Sequence, residues 1–590
     1  MKDNCLLQFA VIADTHIRLS GATDEGGYAS NRVANDRAKY VVDLLNKLEP
    51  DFVIHLGDLV HPIPALKIHQ DAVKTACDIF AKLQAKLFAI PGNHDIGDKA
   101  NGFLPAPVID ANSHHVFEKK WGPLYQSFSN QNSHFICLDT PLMNSGLLRE
   151  KEQKKWLENE LSTAHIDGLR IFVFTHYPLL ICDPEEPDHY DNIDDPARSW
   201  LLDLFNQNEV EAVFSGHVHN VFVGVHEKTK YYSLPATSFV RPEYSELYTV
   251  GPADEYGRND IAKLGFFFVK IYEDRHQIIP VRTYGAGESF SGVNAVDPQT
   301  ITAKKHQMLG VTLRQGWGRR IELAVDGLDE FRRKEAYRDG ILIALLELGI
   351  RSLRVPLADL TNAEVRRRMA DYVKFGFNFT VFSLGKPDAH VLSTIESAGS
   401  LILNWEIICP EQILAQAEKF VVDALSVFNG RIYLAPVVPL KETEGSVVGS
   451  EKVFQHFASH GFSLKQKNEV QQLLEKIKTY SKNIGLTFRV TPWDDAYSVL
   501  QEIDNQFLTE KLINLQLPRL NEGVCFEDDQ YLQTYIVEVY QTCRKMSKAT
   551  VFLDTFIDSD RGYYPRNGLL DRRLNPRPAF HALKKVSVVK

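Results

Sequence analysis

The chain has 590 residues, 44% hydrophobic and 24% charged, with 66 Lys and Arg against 76 Asp and Glu for a formal net charge of −10. That length exceeds one ordinary core and predicts about two to four domains, in the proportions of a soluble globular protein. The acidic balance argues against a nucleic-acid polymer as partner.

From the N-terminus, "MKDNCLLQFAVIADTH" lacks the separate basic, apolar and cleavage regions of a signal peptide and reads as a first β-strand. Apolar runs follow one another at "LQFAVIA" (7–13), "FVIHLG" (52–57), "KLFAIPG" (86–92), "HFICLDT" (134–140), "RIFVFTH" (170–176) and "EAVFSGH" (211–217). Each ends in small or polar residues. Helical patterns lie between several of them, at 33–48 and at 196–208, where Pro196 is placed to open a helix. Short apolar runs alternating with helices predict strands buried on both faces. After His219, "NVFVGVHEKTKYYSLPA", "LGFFFVKIYED" and "HQIIPVRTYG" predict antiparallel hairpins. The first domain, 1–285, is therefore expected to be a two-layer β core flanked by helices.

Residues 286–308 are small and polar without periodicity, as in a linker. From 309 to 590, strand patterns begin at "GVTLRQ" (310), "SLRVPLA" (352), "NFTVFSLG" (378), "SLILNWEII" (400), "RIYLAPVVP" (431), "LTFRVTP" (486), "KLINLQLP" (511) and "TVFLDTF" (550). Helical patterns separate them, two ending on Gly376 and Gly485 as C-caps would. Eight βα units in about 280 residues match a (β/α)8 TIM barrel, with an open doubly wound sheet as the alternative. Seven scattered cysteines without a CxxC pair fit a reducing compartment. No uncharged apolar run reaches the roughly 18–20 residues that span a bilayer. A cytoplasmic protein without a membrane partner is expected, and a homo-oligomer is left open.

Five expected strand ends in the first domain carry metal-ligand types: Asp14 and His16 in "ADTH", Asp58 in "GDLVH", Asn93, His94 and Asp95 in "GNHD", His176 in "THYP", and His217 and His219 in "GHVH". On extended backbone, residues two apart point the same way, so Asp14/His16 and His217/His219 would each form a clamp. Imidazole, carboxylate and one amide oxygen are the mix that borderline divalent metals favour. Open α/β sheets place ligands at strand C-termini.

Together these five blocks resemble the calcineurin-like metallophosphoesterases, in the version of the motif found in class III cyclic-nucleotide phosphodiesterases and glycerophosphodiesterases. The resemblance implies a four-layer αββα sandwich holding two divalent metals (Mn, Fe or Zn). Carried over, one metal is held by Asp14, His16, Asp58 and His219 and the other by Asp58, Asn93, His176 and His217, with Asp58 bridging. The implied reaction is in-line attack of metal-bound hydroxide on the phosphorus of a small phosphodiester. His94 would face the substrate and stabilise charge or protonate the leaving alkoxide. Asp95 would hold the imidazole or its loop. His61 is a candidate for lining the pocket, and His189 and Tyr190 of the acidic segment after Pro178 are candidates for touching the leaving group. Leu59-Val60-His61 after Asp58 lacks the ligating tyrosine of purple acid phosphatases, and no GDxxDRG of protein phosphatases is present. A phosphomonoesterase remains the alternative on the same centre.

The second domain loosely resembles TIM-barrel glycoside hydrolases, through Asn404-Trp405-Glu406 after the fourth strand and the tail 560–583. A retaining glycosidase needs a second carboxylate about 5–5.5 Å away, yet the seventh strand ends on Gln516. Substrate recognition or assembly is the expected role, with a carbohydrate-binding or glycosidase barrel as the alternative.

Overall fold

The structure is a computed structural model. It describes residues 5–21, 27–104, 106–109, 111–287, 306–314, 316–324, 327–438, 446–448, 451–453, 459–518, 529–558 and 566–588. The chain forms two compact units, one of residues 1–302 with 320–343 and the other of 303–319 with 344–590. Most of the expected linker, 288–305, lies outside the described residues.

The first unit contains eleven strands among its described residues outside 320–343. These are β1 (Leu7–Ile12), β2 (Phe52–His55), β3 (Lys86–Ala89), β4 (Gln126–Asn130), β5 (Ser133–Cys137), β6 (Arg170–Thr175), β7 (Ala212–Ser215), β8 (Phe222–His226), β9 (Thr229–Ser233), β10 (Gly265–Ile271) and β11 (His276–Arg282). They build a five-stranded sheet in the order β11-β10-β1-β2-β3 and a six-stranded sheet in the order β4-β5-β6-β7-β9-β8. β8/β9 and β10/β11 are the antiparallel hairpins expected after His219. β4, too polar to be read as a strand, pairs antiparallel with β5 at the sheet edge. Helices form at Ala34–Leu48 and Ala197–Gln207. Pro196 stands at the N-cap of the second, one place before the first-turn position expected of it.

The two sheets face each other across a layer of phenylalanines. Phe9 of β1 meets Phe135, Phe172, Phe174 and Phe214 of the other sheet edge-on, with ring centres 5.5, 6.5, 6.1 and 6.4 Å away. All five are fully buried, and truncating one such ring to Ala costs about 3–5 kcal/mol. On the outer face of the second sheet, Leu157 and Leu161 of helix Leu148–Ile166 and Leu201 and Phe205 of Ala197–Gln207 cover Ile136, Val173 and Val213.

The second unit is a closed barrel. Its parallel strands are His306–Thr312, Ile350–Pro356, Asn378–Leu384, Ile402–Cys409, Arg431–Val438, Ile484–Val490, Lys511–Gln516 and Ala549–Asp554. Neighbours pair in sequence, the eighth pairs with the first, and the fourth pairs with the fifth from Asn404↔Arg431 to Cys409↔Pro436. That closure excludes the open sheet. Asn362 caps helix Ala363–Lys374, accepting from the Val365 N–H at 3.1 Å, and Gly376 follows its end with φ +85°. Gly485 is not a C-cap. It lies inside the sixth strand, where a Cβ would come within 2.5 Å of the Tyr433 ring.

Glu406 is fully buried inside this barrel. Arg354 of the second strand donates to it at 2.7 Å and Asn514 of the seventh at 3.4 Å. Burial raises the Glu406 carboxyl, but the charges of Arg354 and His460 and the bonds from Arg354 and Thr487 together outweigh it and hold the group below the usual carboxylate range. Gln516 buries an Oε1 with no hydrogen-bond partner. Arg314 pairs with Asp554, and the start of the tail, 560–565, lies outside the described residues.

Candidate metal centre

Parallel strands deliver the polar blocks to one edge. β1, β2 and β3 are parallel neighbours in one sheet, β6 and β7 in the other, so the five C-terminal loops gather at one end of the sandwich. The clamps at Asp14/His16 and His217/His219 do not rest on strand alternation. They lie beyond the ends of β1 and β7, and their φ values are +54°, +44°, +69° and +49°. Asp58 has φ +53°. Left-handed backbone costs roughly 1–2 kcal/mol per non-glycine residue. It is held by ties such as Asp14 N–H to Gly57 O at 3.1 Å and His16 N–H to Asp58 O at 3.0 Å. Such strain concentrates at functional sites.

The ligand-type atoms converge. Asp14, His16, Asp58 and His219 place one such atom each within 4.8 Å of one another, as do Asp58, His176 and His217. His16 Nε2 lies 3.5 Å from Asp58 Oδ2, His176 Nε2 3.5 Å from Asp58 Oδ1, and His219 Nε2 3.6 Å from Asp14 Oδ1. Asn93 Oδ1 sits 2.9 Å from His176 Nε2 and 3.2 Å from His217 Nδ1.

Hydrogen bonding decides which ring nitrogens point inward. His176 Nδ1 lies 2.8 Å from Leu56 O and His219 Nδ1 2.9 Å from Phe239 O. Carbonyls only accept, so each Nδ1 carries the proton and each Nε2 turns a lone pair inward. His176 Nε2 and Asn93 Oδ1 are then two acceptors 2.9 Å apart with no proton between them. Asp14 and Asp58 are both buried, and burial lifts their carboxyls well above the usual range, the charge of Asp58 adding to the effect on Asp14. Burial pushes His16, His217 and His219 well down and His176 to about 3. Neutral imidazoles, carboxylates and an amide oxygen crowded this way fit divalent cations better than they fit each other.

His94, Asp95, His61 and Tyr190 lie at this cluster. His94 donates its backbone N–H to Asp58 Oδ1 at 2.8 Å, its Nδ1 bonds the His61 carbonyl, and its ring meets His16 edge-on at 4.6 Å. Asp95 holds the loop and not the imidazole, accepting from the N–H groups of Leu59, Val60 and Gly92 at 3.1, 3.3 and 2.9 Å. His61 brings Nδ1 to 3.3 Å from His16 Nδ1. The Tyr190 hydroxyl accepts from Asn93 Nδ2 and donates to Asp98 Oδ2, both at 3.4 Å, and its ring lies 4.9 Å from that of His217. His189 is taken up in its own loop, where Nδ1 accepts from Asp191 N–H at 3.2 Å and Nε2 is 3.4 Å from Glu186.

Three participants escaped the sequence reading. Asp98 accepts from the hydroxyls of Tyr177 and Tyr190. Its signal was present, three residues past Asp95. Asp191 is fully buried with Oδ1 3.7 Å from His217 Nε2, although its acidic segment reads as solvated loop. Lys334, beyond the expected linker, pairs with Asp191, and nothing in "RRKEAY" marks it.

A face-to-face sheet sandwich that gathers histidine, carboxylate and amide side chains on its parallel-strand loops gives the first unit a candidate metal-binding site of the phosphoesterase kind. Residues 7–221 match the family model of the calcineurin-like phosphoesterases, so the first unit carries a domain of that family. Among curated relatives, the chain is similar to the serine/threonine-protein phosphatase CPPED1 of Danio rerio, at 32% identity over 32% of this chain and 61% of that one. It is also similar to a probable cyclic nucleotide phosphodiesterase of Coxiella burnetii, at 23% identity over 40% of this chain and 86% of that one. The chain spans about three-fifths of the length of the CPPED1 relatives it matches. A solved structure of GAP50, the anchor in the inner membrane complex of Plasmodium, aligns at 17% identity over 48% of this chain and 87% of that one, with a TM-score of 0.33, too remote to bear on the argument.

Proposed function

We propose that this protein is a metal-dependent phosphoric ester hydrolase whose substrate is a small phosphodiester of the cyclic-nucleotide or glycerophosphodiester type. The carrying observation is the convergence of Asp14, His16, Asp58, Asn93, His176, His217 and His219 from five loops of a calcineurin-like phosphoesterase domain. Asp14, His16, Asp58 and His219 would hold one divalent ion, and Asp58, Asn93, His176 and His217 the other; Mn, Fe and Zn all suit these donors. Bound there, the ions would supply Lewis acidity and an activated water. His94 stands beside Asp58 to meet the leaving oxygen, and His61 supports the His94 ring face to face at 5.6 Å.

Nearby guanidinium groups support a diester. Arg241 is tied to Asp191 and Glu243, and Arg258 donates to Asn31, so both already have polar partners within the protein. The similarity to CPPED1 phosphatases favours a second reading, a phosphomonoesterase. The barrel is proposed as a substrate-recognition or assembly module, since Glu406 is pinned by Arg354 and faces no second carboxylate on the seventh strand. Six described cysteines are free, which supports a reducing, cytoplasmic setting, and no helix among the described residues is long and apolar enough to cross a membrane.

Hydrolysis of bis(p-nitrophenyl) phosphate against p-nitrophenyl phosphate, followed by cyclic nucleotides and glycerophosphodiesters, separates the two readings. Asp58→Asn is expected to abolish either activity. Activity that survives Asp58→Asn but is lost in Glu406→Gln would instead assign the chemistry to the barrel.

A further inference from the structure

The first unit contains residues 320–343, although in sequence they follow the first barrel strand. Two short strands there, Ile321–Leu323 and Lys334–Ala336, pair antiparallel. Leu323 and Ala336 join a buried cluster with Ile181, Val218, Phe222, Tyr244 and Leu247, and Val218 is the residue between His217 and His219. Asp339 accepts from Val223 N–H at 2.8 Å, and Asp329 from Tyr190 N–H at 3.2 Å.

We infer that Lys334 is a positioning residue for the metal centre, acting on His217 through Asp191. Its Nζ lies 2.5 Å from Asp191 Oδ2, which also accepts from the Tyr244 hydroxyl at 2.7 Å. The other oxygen of Asp191 takes the Arg241 guanidinium and faces His217 Nε2 at 3.7 Å. That Nε2 is buried with no hydrogen-bond partner, while Nδ1 of the same ring is turned to Asn93 Oδ1. A carboxylate facing the outer nitrogen of a ligand histidine sets the ring's tautomer and aim. A fully buried carboxylate keeps its charge and place only if cations compensate it. Arg241 serves one oxygen and Lys334 the other. Lys334 is 2% exposed and stands 3.8 Å from Asp329, the second acidic group in reach. The motif-bearing domain therefore borrows a buried cation encoded past the linker.

The inference rests on the metallophosphoesterase reading, and its test separates the two. Mn²⁺ binding to the full-length chain, measured by calorimetric titration, is expected to weaken about 10–100-fold at one of two sites in Lys334→Met. Glu335→Gln, an exposed neighbour on the same strand, should bind as the unaltered chain does. Methylammonium should restore most of the affinity lost by Lys334→Ala, which loss of packing alone would not allow. Unaltered Mn²⁺ affinity in Lys334→Met, or a loss that methylammonium leaves in place, overturns the inference. If neither variant folds, hydrogen exchange on the unaltered chain decides. Mn²⁺ should slow exchange of the amides of 329–336, and unchanged exchange there refutes the coupling. Hydrolysis surviving Asp58→Asn would refute the phosphoesterase reading without touching the Mn²⁺ result for Lys334.

Discussion

Gly92 lies where Asp58, Asn93 and His176 crowd together. A Cβ there would come within 2.3 Å of Asp58 Oδ1 and 2.7 Å of His176 Cε1, and one on Gly57 within 2.7 Å of His176 Nδ1. The glycines of the GD and GNHD blocks are thus as much a part of the centre as its donors. Gly92→Ala is expected to weaken metal binding on the order of 10–100-fold or more, whereas Gly102→Ala, which faces open space, should leave it unchanged; metal titration reads both. His94 contributes to Asp58 through its backbone N–H, which an alanine retains. His94→Ala should therefore keep its metals while turnover falls roughly 10²–10⁴-fold, and coincident loss of metal and turnover would contradict the role proposed for the ring.

At the scale of elements, β6, β7, β9 and β11 are joined by one partly buried polar knot. Arg170 at the start of β6 donates to Glu211, just before β7, at 2.7 and 2.5 Å. His276 at the start of β11 bonds the same carboxylate at 2.5 Å and the Tyr232 hydroxyl of β9 at 2.9 Å. Burial raises the Glu211 carboxyl, but the bonds from His276 and Arg170 outweigh it and bring the group down to about 2. A depressed carboxyl stabilises the fold above its unfolded value near 4.5, and that contribution is lost as pH falls from there towards 2. The shift corresponds to about 3 kcal/mol. The stability gap between the unaltered chain and Glu211→Gln, measured by denaturant midpoints, should be widest near pH 7 and shrink steadily between pH 4.5 and 2.

For the whole molecule, the buried acids Asp14 and Asp58 would make a bound metal a structural element of the first unit. Cations at about 100 times their dissociation constant stabilise a fold by roughly 2.7 kcal/mol, which in a unit of this size shifts the melting midpoint by roughly 4 °C. Chelation should lower one calorimetric transition of the full chain by that amount, and Mn²⁺ should restore it. Asp58→Asn should make that transition insensitive to chelator, and a melt indifferent to both treatments would remove the metal centre from the account.

The sequence by itself determined the candidate donors, the strands and the alternation of units. Buried parallel strands must be short apolar runs, and metal donors must be particular residue types placed at strand ends. Hence Asp14, His16, Asp58, Asn93, His176, His217 and His219 could be named as candidates before the fold brought them together, and all eight barrel strands were legible. Only the tertiary structure decided what depends on pairing between distant residues. Closure of the barrel rests on bonds between its fourth and fifth strands. The aim of the two clamps rests on left-handed loop backbone, which side-chain patterning does not encode. The burial of Asp191 rests on Lys334, 143 residues further along. A lysine in a polar stretch reads as solvated until the fold closes around it, because its role is set by the carboxylate it meets and not by its neighbours in sequence.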